Sequence, residues 1–239
     1  MKHTLVFFGS ARIRPPDEAS ALIASARKVA ADKPGDAGAA YAVQRAEAVA
    51  RLAPYYEACR ELSRRLTAWS MSREGKRSYY VTSGGGPGIM EAANHGAAMV
   101  PGGRSVGLGI SLPFEQGVND YVTPELGFEF HYFFTRKLWF LYLCKGMIIF
   151  PGGFGTMDEL FETLTLVQTG KITKPMPLVM FGTDYWSKVL NLDVMAEYGT
   201  ISPADIDLVF RTDSVDDAFH FLTSRLDQIE EDDRKKREG

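Results

Sequence analysis

Cysteine is scarce: Cys59 and Cys144 are the only two in 239 residues. They lie far apart, match no CxxC or Cys/His ligand spacing and sit among helical or apolar neighbours. Two buried free thiols in a reducing compartment are therefore expected, not a disulfide or a metal site. An excess of positive charge is also missing. The formal net charge of -3 offers no overall attraction to nucleic acid or to an anionic membrane, so neither is an expected partner. Nor is there a long uninterrupted apolar run. The aromatic-rich stretch FEFHYFFTRKLWFLYLCKGMIIF, 128–150, carries Arg136, Lys137 and Lys145, which argues against a membrane span. The opening MKHTLVFFGSAR has too short an apolar segment for a signal peptide. What remains, 45% hydrophobic and 24% charged residues, describes a globular cytoplasmic protein with a full core and a small-molecule site as the first expectation.

Short apolar runs rich in β-branched and aromatic residues recur at 4–8, 78–83, 104–110, 146–150, 177–181 and 207–212, giving six candidate strands. Segments of helical period lie between them, at 88–100, 131–144, 156–169, 184–198 and from Ser214 toward Ile229. Strands that are continuously apolar and alternate with helices predict an α/β fold: a Rossmann-like parallel sheet of about six strands with helices on both faces. The first two candidate strands are separated by far more chain than a crossover needs. Residues 53–72 read as the crossover helix, with Pro54 near its first turn. Residues 14–51 then form an Ala-rich insertion of one or two helices joined at Pro34-Gly35. One domain is expected over 1–230, with a charged tail, 231–239, that frays.

Two glycine turns share a pattern. GGPGIME at 85–91 and GGFGTMD at 152–158 have glycines at the same three places, then Met and an acid, and each follows a strand and opens a helix. A ligand can approach backbone N–H groups there, and the helix start favours an anion, so Gly85, Gly86, Gly152, Gly153, Phe154, Gly155, Thr156, Met157 and Asp158 are candidate binding residues. Packing alone would explain one such turn; two matched turns favour a phosphate. Ile89 and Asp158 stand where a dinucleotide fingerprint needs glycine, and neither turn has the lysine of a P-loop, so NAD and ATP hydrolysis are disfavoured.

Glu159, three residues after Thr156, fits a capping box and need not be catalytic on that ground. Arg136 and Lys137 are harder to explain structurally. Their helix is apolar on nearly every face, and they point about 100° apart, so they do not both escape to water by one route. His95 and His131 are expected to be hydrogen-bonded structural residues, and the aromatics from Phe128 to Tyr142 mainly core.

Taken together, SGGGPGIMEAAN, FFTRK and PGGFGTMDE resemble the LOG (LONELY GUY) family, labelled in older usage lysine decarboxylase-like, whose hallmark is PGGxGTxxE with an upstream Arg-Lys pair. The similarity runs from FFGSAR to DLVFRTD, with 14–51 as an insertion not typical of short members. The resemblance implies a homodimeric hydrolase, a cytokinin riboside 5'-monophosphate phosphoribohydrolase, that splits a nucleoside 5'-monophosphate (a cytokinin ribotide or AMP) into free base and ribose 5-phosphate. No cofactor or metal is implied. Arg136 and Glu159 match the catalytic positions, the glycines and Thr156 the phosphate site, and Lys137, Thr165 and Glu115 further substrate contacts. MDE replaces the frequent LEE, which leaves base preference open. Beside a cation and near a helix start, Glu159 is expected to stay ionised at neutral pH, stabilising an oxocarbenium-like transition state. A nucleotide-binding module without turnover, and a pyridoxal-phosphate decarboxylase using Lys137 or Lys171, are the competing readings.

Overall fold

The computed structural model describes residues 3–111 and 117–238. In chain order the elements are β1 (Thr4–Phe8), α1 (Pro16–Asp32), α2 (Ala37–Met71), β2 (Tyr80–Ser83), α3 (Ile89–Ala98), β3 (Ser105–Ile110), β4 (Gly127–Phe130), α4 (Phe133–Leu143), β5 (Cys144–Ile149), α5 (Phe154–Gln168), β6 (Leu178–Phe181), α6 (Thr183–Val189), α7 (Leu192–Glu197), β7 (Phe210–Thr212) and α8 (Val215–Glu238). Every strand pairing is parallel, in the order β4-β3-β2-β1-β5-β6-β7.

Strand β1 is buried along its whole length because both faces of the sheet are covered. Leu5 and Phe7 face a core built with Tyr56, Cys59, Leu62 and Leu66 of α2, Ile89 of α3 and Leu222 of α8. Val6 and Phe8 face the opposite core, with Phe140 and Leu141 of α4, Leu160 of α5 and Trp186 of α6. Both cysteines are free and buried.

The sheet has seven strands, one more than the apolar runs predict. The extra strand, β4, is an edge strand in which Gly127, Phe128 and Glu129 are all exposed, so it lacks the buried run that marks the others. The aromatics of 128–142 are likewise not mainly core in the single chain: Tyr132, Phe133, Phe134, Leu138, Trp139 and Tyr142 are exposed, and only Phe140 and Leu141 of α4 are buried.

Helix α1 ends before the expected Pro34-Gly35 break, where Gly35 takes a left-handed φ of 87°. Beyond it the insertion and the crossover form one 35-residue helix, α2, with Pro54 inside rather than at its start. Pro54 lies on the exposed face, where water can satisfy the carbonyl it leaves unbonded, and the alanine-rich sequence favours helix on both sides.

The segment 184–198 breaks into α6 and α7, with the Asn191 side chain accepting from the Val194 N–H at the start of α7. The charged tail continues α8 as helix to Glu238. Just after α2, Arg73 contacts Asp227 and Glu230, and Arg77 contacts Asp233, so one acid of the tail expected to fray, Asp233, is tied to the body of the chain. Among the described residues no helix is long and apolar enough to cross a membrane.

Candidate active site

The sheet order changes direction at β1, which has β2 on one side and β5 on the other. At such a switch point the loops leaving neighbouring strands diverge and open a crevice. Here the Ser10 N–H donates to the Pro151 carbonyl at 2.9 Å, setting the rim. A cavity of about 680 Å³ lies beyond it. Its walls are Phe8 to Arg12 from the β1 loop, Gly84 and Met90 from the first glycine turn, Phe133, Arg136 and Phe140 from α4, and Gly153 to Met157 with Glu159 from α5.

The start of α5 is bare. Gly153 is its N-cap and no side chain caps it, so the first N–H groups of the helix have no intrahelical partner and open toward the cavity wall that their residues form. The predicted capping box of Thr156 and Glu159 is therefore not formed: the helix begins earlier, and both residues lie within it and are buried. Gly152 has no room for a side chain, since a Cβ there would lie 2.1 Å from the Thr156 hydroxyl oxygen. The Tyr185 hydroxyl donates to the Gly152 carbonyl at 2.8 Å, fixing the loop from behind.

Glu159 is 3% exposed and lines the cavity. Burial pushes its carboxyl up to about 7, against the opposing pull of Lys137 and Arg136. The expectation that it stays fully ionised at neutral pH is thus corrected: desolvation outweighs the cations, and the group titrates near neutrality. The Arg136 guanidinium lies 5.2 Å from the Phe133 ring centre and 5.7 Å from that of Phe140, so two aromatic faces hold it in the cavity wall.

Lys137, one residue on, turns the other way. Its Nζ is 2.8 Å from Asp158, 2.7 Å from Glu162 and 3.9 Å from Glu159. Burial works against its charge, but the hydrogen bonds to Asp158 and Glu162 and the field of Glu159 raise its pKa above the ordinary lysine value.

Of the residues singled out from sequence, Arg136, Gly153, Phe154, Gly155, Thr156, Met157 and Glu159 meet in this cavity. Gly152 and the exposed Asp158 do not line it, and exposed Thr165 bonds back to the Phe161 carbonyl. Glu115 lies outside the described residues. Gly85 and Gly86 do not line the cavity; Asn119 holds them, its side-chain amide donating to both carbonyls at 3.0 Å. Asn94 and Ser83 complete this buried network. Gly88 opens α3 with φ 72°, and a Cβ there would lie 2.4 Å from the Ser10 carbonyl oxygen. His95 stacks on Tyr121 at 4.1 Å, and its Nδ1 makes no hydrogen bond with any described residue, so among them stacking holds it instead of the expected hydrogen bond.

Sequence reasoning missed Arg12, Asn119 and Tyr185. The first lay unremarked in GSAR, and the other two carry no periodic or spacing signal.

A family model described as possible lysine decarboxylase matches residues 90–222, more than half of the chain. A rice (Oryza sativa subsp. japonica) protein named probable cytokinin riboside 5'-monophosphate phosphoribohydrolase is 40% identical over 57 residues, 24% of this chain and 27% of that protein. An Arabidopsis thaliana cytokinin riboside 5'-monophosphate phosphoribohydrolase is 37% identical over 62 residues, 26% of this chain and 29% of that protein. The chain thus spans less than a third of the length of these curated relatives.

Proposed function

The chain belongs to the LOG family, whose model carries the description possible lysine decarboxylase, and from that premise we propose that its cavity hydrolyses the N-glycosidic bond of a nucleoside 5'-monophosphate. The products are the free base and ribose 5-phosphate, and the substrate class is a cytokinin ribotide or AMP. The observation that carries this reading is a buried carboxyl, Glu159, in one cavity with Arg136 and the uncapped start of α5. The substrate phosphate rests on the N–H groups of Phe154, Gly155 and Thr156, where the helix dipole favours an anion.

Glu159, as carboxylate, lies under the sugar and stabilises positive charge at the anomeric carbon. It also takes the proton from the attacking water as the new C–O bond forms. The C–N bond breaks with its electron pair going to the base, which takes up one proton from solvent, and Glu159 then returns the proton it took from water to solvent. A carboxyl that titrates near working pH suits this proton transfer better than a fully ionised one. Arg136 is the cation closest in role, steering the phosphate or the carboxylate. The exposed aromatic face of α4 is the surface we assign to a homodimer, and we place the protein in the cytoplasm.

Decarboxylation through a lysine imine needs an amine whose pKa is lowered. Lys137 has the opposite shift and three acidic neighbours, and Lys171 is exposed. Lys174 does have a lowered pKa, from burial, but its ammonium is engaged by the Leu141 and Tyr142 carbonyls and lines no part of the cavity.

The test is base release from a panel of nucleoside monophosphates, AMP and an N6-prenylated ribotide among them, followed by chromatography. Wild type should liberate base and Glu159→Gln should not, with its circular dichroism unchanged. If wild type leaves every monophosphate intact, hydrolysis is refuted. Calorimetric binding without release would then point to a binding module.

A further inference from the structure

The insertion that lengthens this chain builds a second cavity. It has a volume of about 500 Å³ and lies between α1, α2 and the loop after β1. Its floor is apolar, formed by Leu22 and Ala26 of α1 with Ala46 and Val49 of α2, and the ring of Tyr41 stands exposed at its side. Three arginines line it: Arg12 and Arg14 from the loop, and Arg45 from α2. Arg12 also lines the catalytic cavity, so the two spaces share a wall.

The charge pattern is what makes this cavity unusual. Arg27 of α1, close by, is paired with Glu47 at 2.8 Å. Arg12, Arg14 and Arg45 make no ion pair with any described residue, and among the described residues no carboxylate lines the cavity. Arg14 makes one long contact, donating to the Ala11 carbonyl at 3.4 Å. Gathering three like charges in one hollow of a protein with net charge -3 opposes folding through their mutual repulsion. No carboxylate among the described residues that line the hollow offsets it. An anion would, through charge-assisted hydrogen bonds to the guanidinium groups.

We propose that the α1–α2 insertion forms an anion subsite beside the catalytic cavity, in which Arg12, Arg14 and Arg45 bind a phosphate group whose organic remainder rests on the Leu22–Val49 floor. The phosphate has two possible sources: the far phosphate of a nucleotide whose other end sits in the catalytic cavity, or a separate phosphorylated molecule bound next to it. The first source rests on the function proposed above; the subsite itself does not.

The experiment is calorimetric titration of the full chain with inorganic pyrophosphate, AMP and ADP. It is run on wild type, on Arg45→Ala, which removes an exposed side chain from a helix and touches no loop, and on the Arg14→Ala/Arg45→Ala double variant. The expected result is that wild type binds pyrophosphate or ADP and that the affinity falls about tenfold or more for each arginine removed. AMP affinity and AMP hydrolysis should stay within twofold. Loss confined to ADP assigns the subsite to the far phosphate of a ligand in the catalytic cavity. Pyrophosphate that binds wild type in the presence of saturating AMP, and not the double variant, assigns it to a separate molecule. Equal affinities across the three chains, or no binding of either pyrophosphate or ADP, overturn the proposal. Failure of AMP alone to bind counts against the catalytic reading and leaves the pyrophosphate measurement decisive.

Discussion

Replacing Glu159 by Gln should make the protein more stable at neutral and alkaline pH, and the gain should depend on pH in a defined way. The carboxyl titrates at 4.5 in an ordinary setting and at about 7 when buried in the cavity wall. Between those values the folded chain holds a proton that the unfolded chain has released. Folding stability from this group is therefore present below about pH 4.5 and declines as pH rises toward 7, after which it is flat. Each tenfold difference in proton affinity is worth about 1.4 kcal/mol, so the ionised side chain lowers stability by about 3 kcal/mol at pH 8. Glutamine mimics the protonated acid at every pH and escapes this loss. The difference between Glu159→Gln and wild type should thus be small near pH 5 and grow to about 3 kcal/mol by pH 8. In a chain of this size that is roughly 6–12 °C in melting temperature. Thermal unfolding of both proteins in matched buffers across pH 5 to 8.5 reads the difference directly, since other titrating groups are common to the two. A difference that does not change with pH would refute the claim that burial dominates this carboxyl.

Three further outcomes follow from the same geometry. Lys137→Met removes a cation 3.9 Å from Glu159, so the carboxyl should titrate higher and the acid limb of the rate profile should move to higher pH; a limb that stays put or moves down contradicts the assignment. Asn119→Ala strips a donor from the Gly85 and Gly86 carbonyls and should lower stability by about 2 kcal/mol, measured as a fall in the urea midpoint at constant slope. Leu138→Asp places a charge on the exposed aromatic face of α4 and should convert the proposed homodimer into a monomer by light scattering, with the circular dichroism of wild type; a variant with the same mass as wild type removes α4 from the proposed interface.

How much of this was legible in the sequence depends on where burial falls. Five of the six strands read from apolar runs, β1, β2, β3, β5 and β6, are buried along most of their length, and the sixth, edge strand β7, keeps only Thr212 buried. Strand β4 escaped notice for the converse reason: its exposed GFEF runs directly into the aromatics of α4. Pro54 suggested a helix start, since local punctuation does not reveal that it sits on the solvent face of a continuous helix. The tail looked unstructured because its Asp233 finds Arg77 more than 150 positions earlier, which no local pattern encodes. Glu159 was found, but its protonation was misjudged. The sequence displays the neighbouring charges and hides the desolvation, which is the larger effect.

One property of the site needs only a helix and a missing cap. Helix α5 starts at Phe154 with no side-chain cap on its first N–H groups, which leaves them open to an anion. Glu159 follows five residues later, about 7.5 Å along the axis at 1.5 Å per residue, a separation on the scale of a sugar phosphate's reach from phosphorus to its anomeric carbon. On the proposed reaction, the same short segment would fix both ends of the reacting fragment on one rigid element. This explains why the glycines and the acid occur together: without Gly152 the strand could not pass against Thr156, and with one residue more or fewer before Glu159 the carboxylate would swing about 100° around the helix and out of the cavity. The base has no such internal ruler. On the proposed reaction its recognition would fall to the opposite wall, where among the described residues Phe133, Phe140 and Met90 present apolar surface and Arg136 and Arg12 carry charge, so substitutions in that wall should change which base is released before they change whether one is.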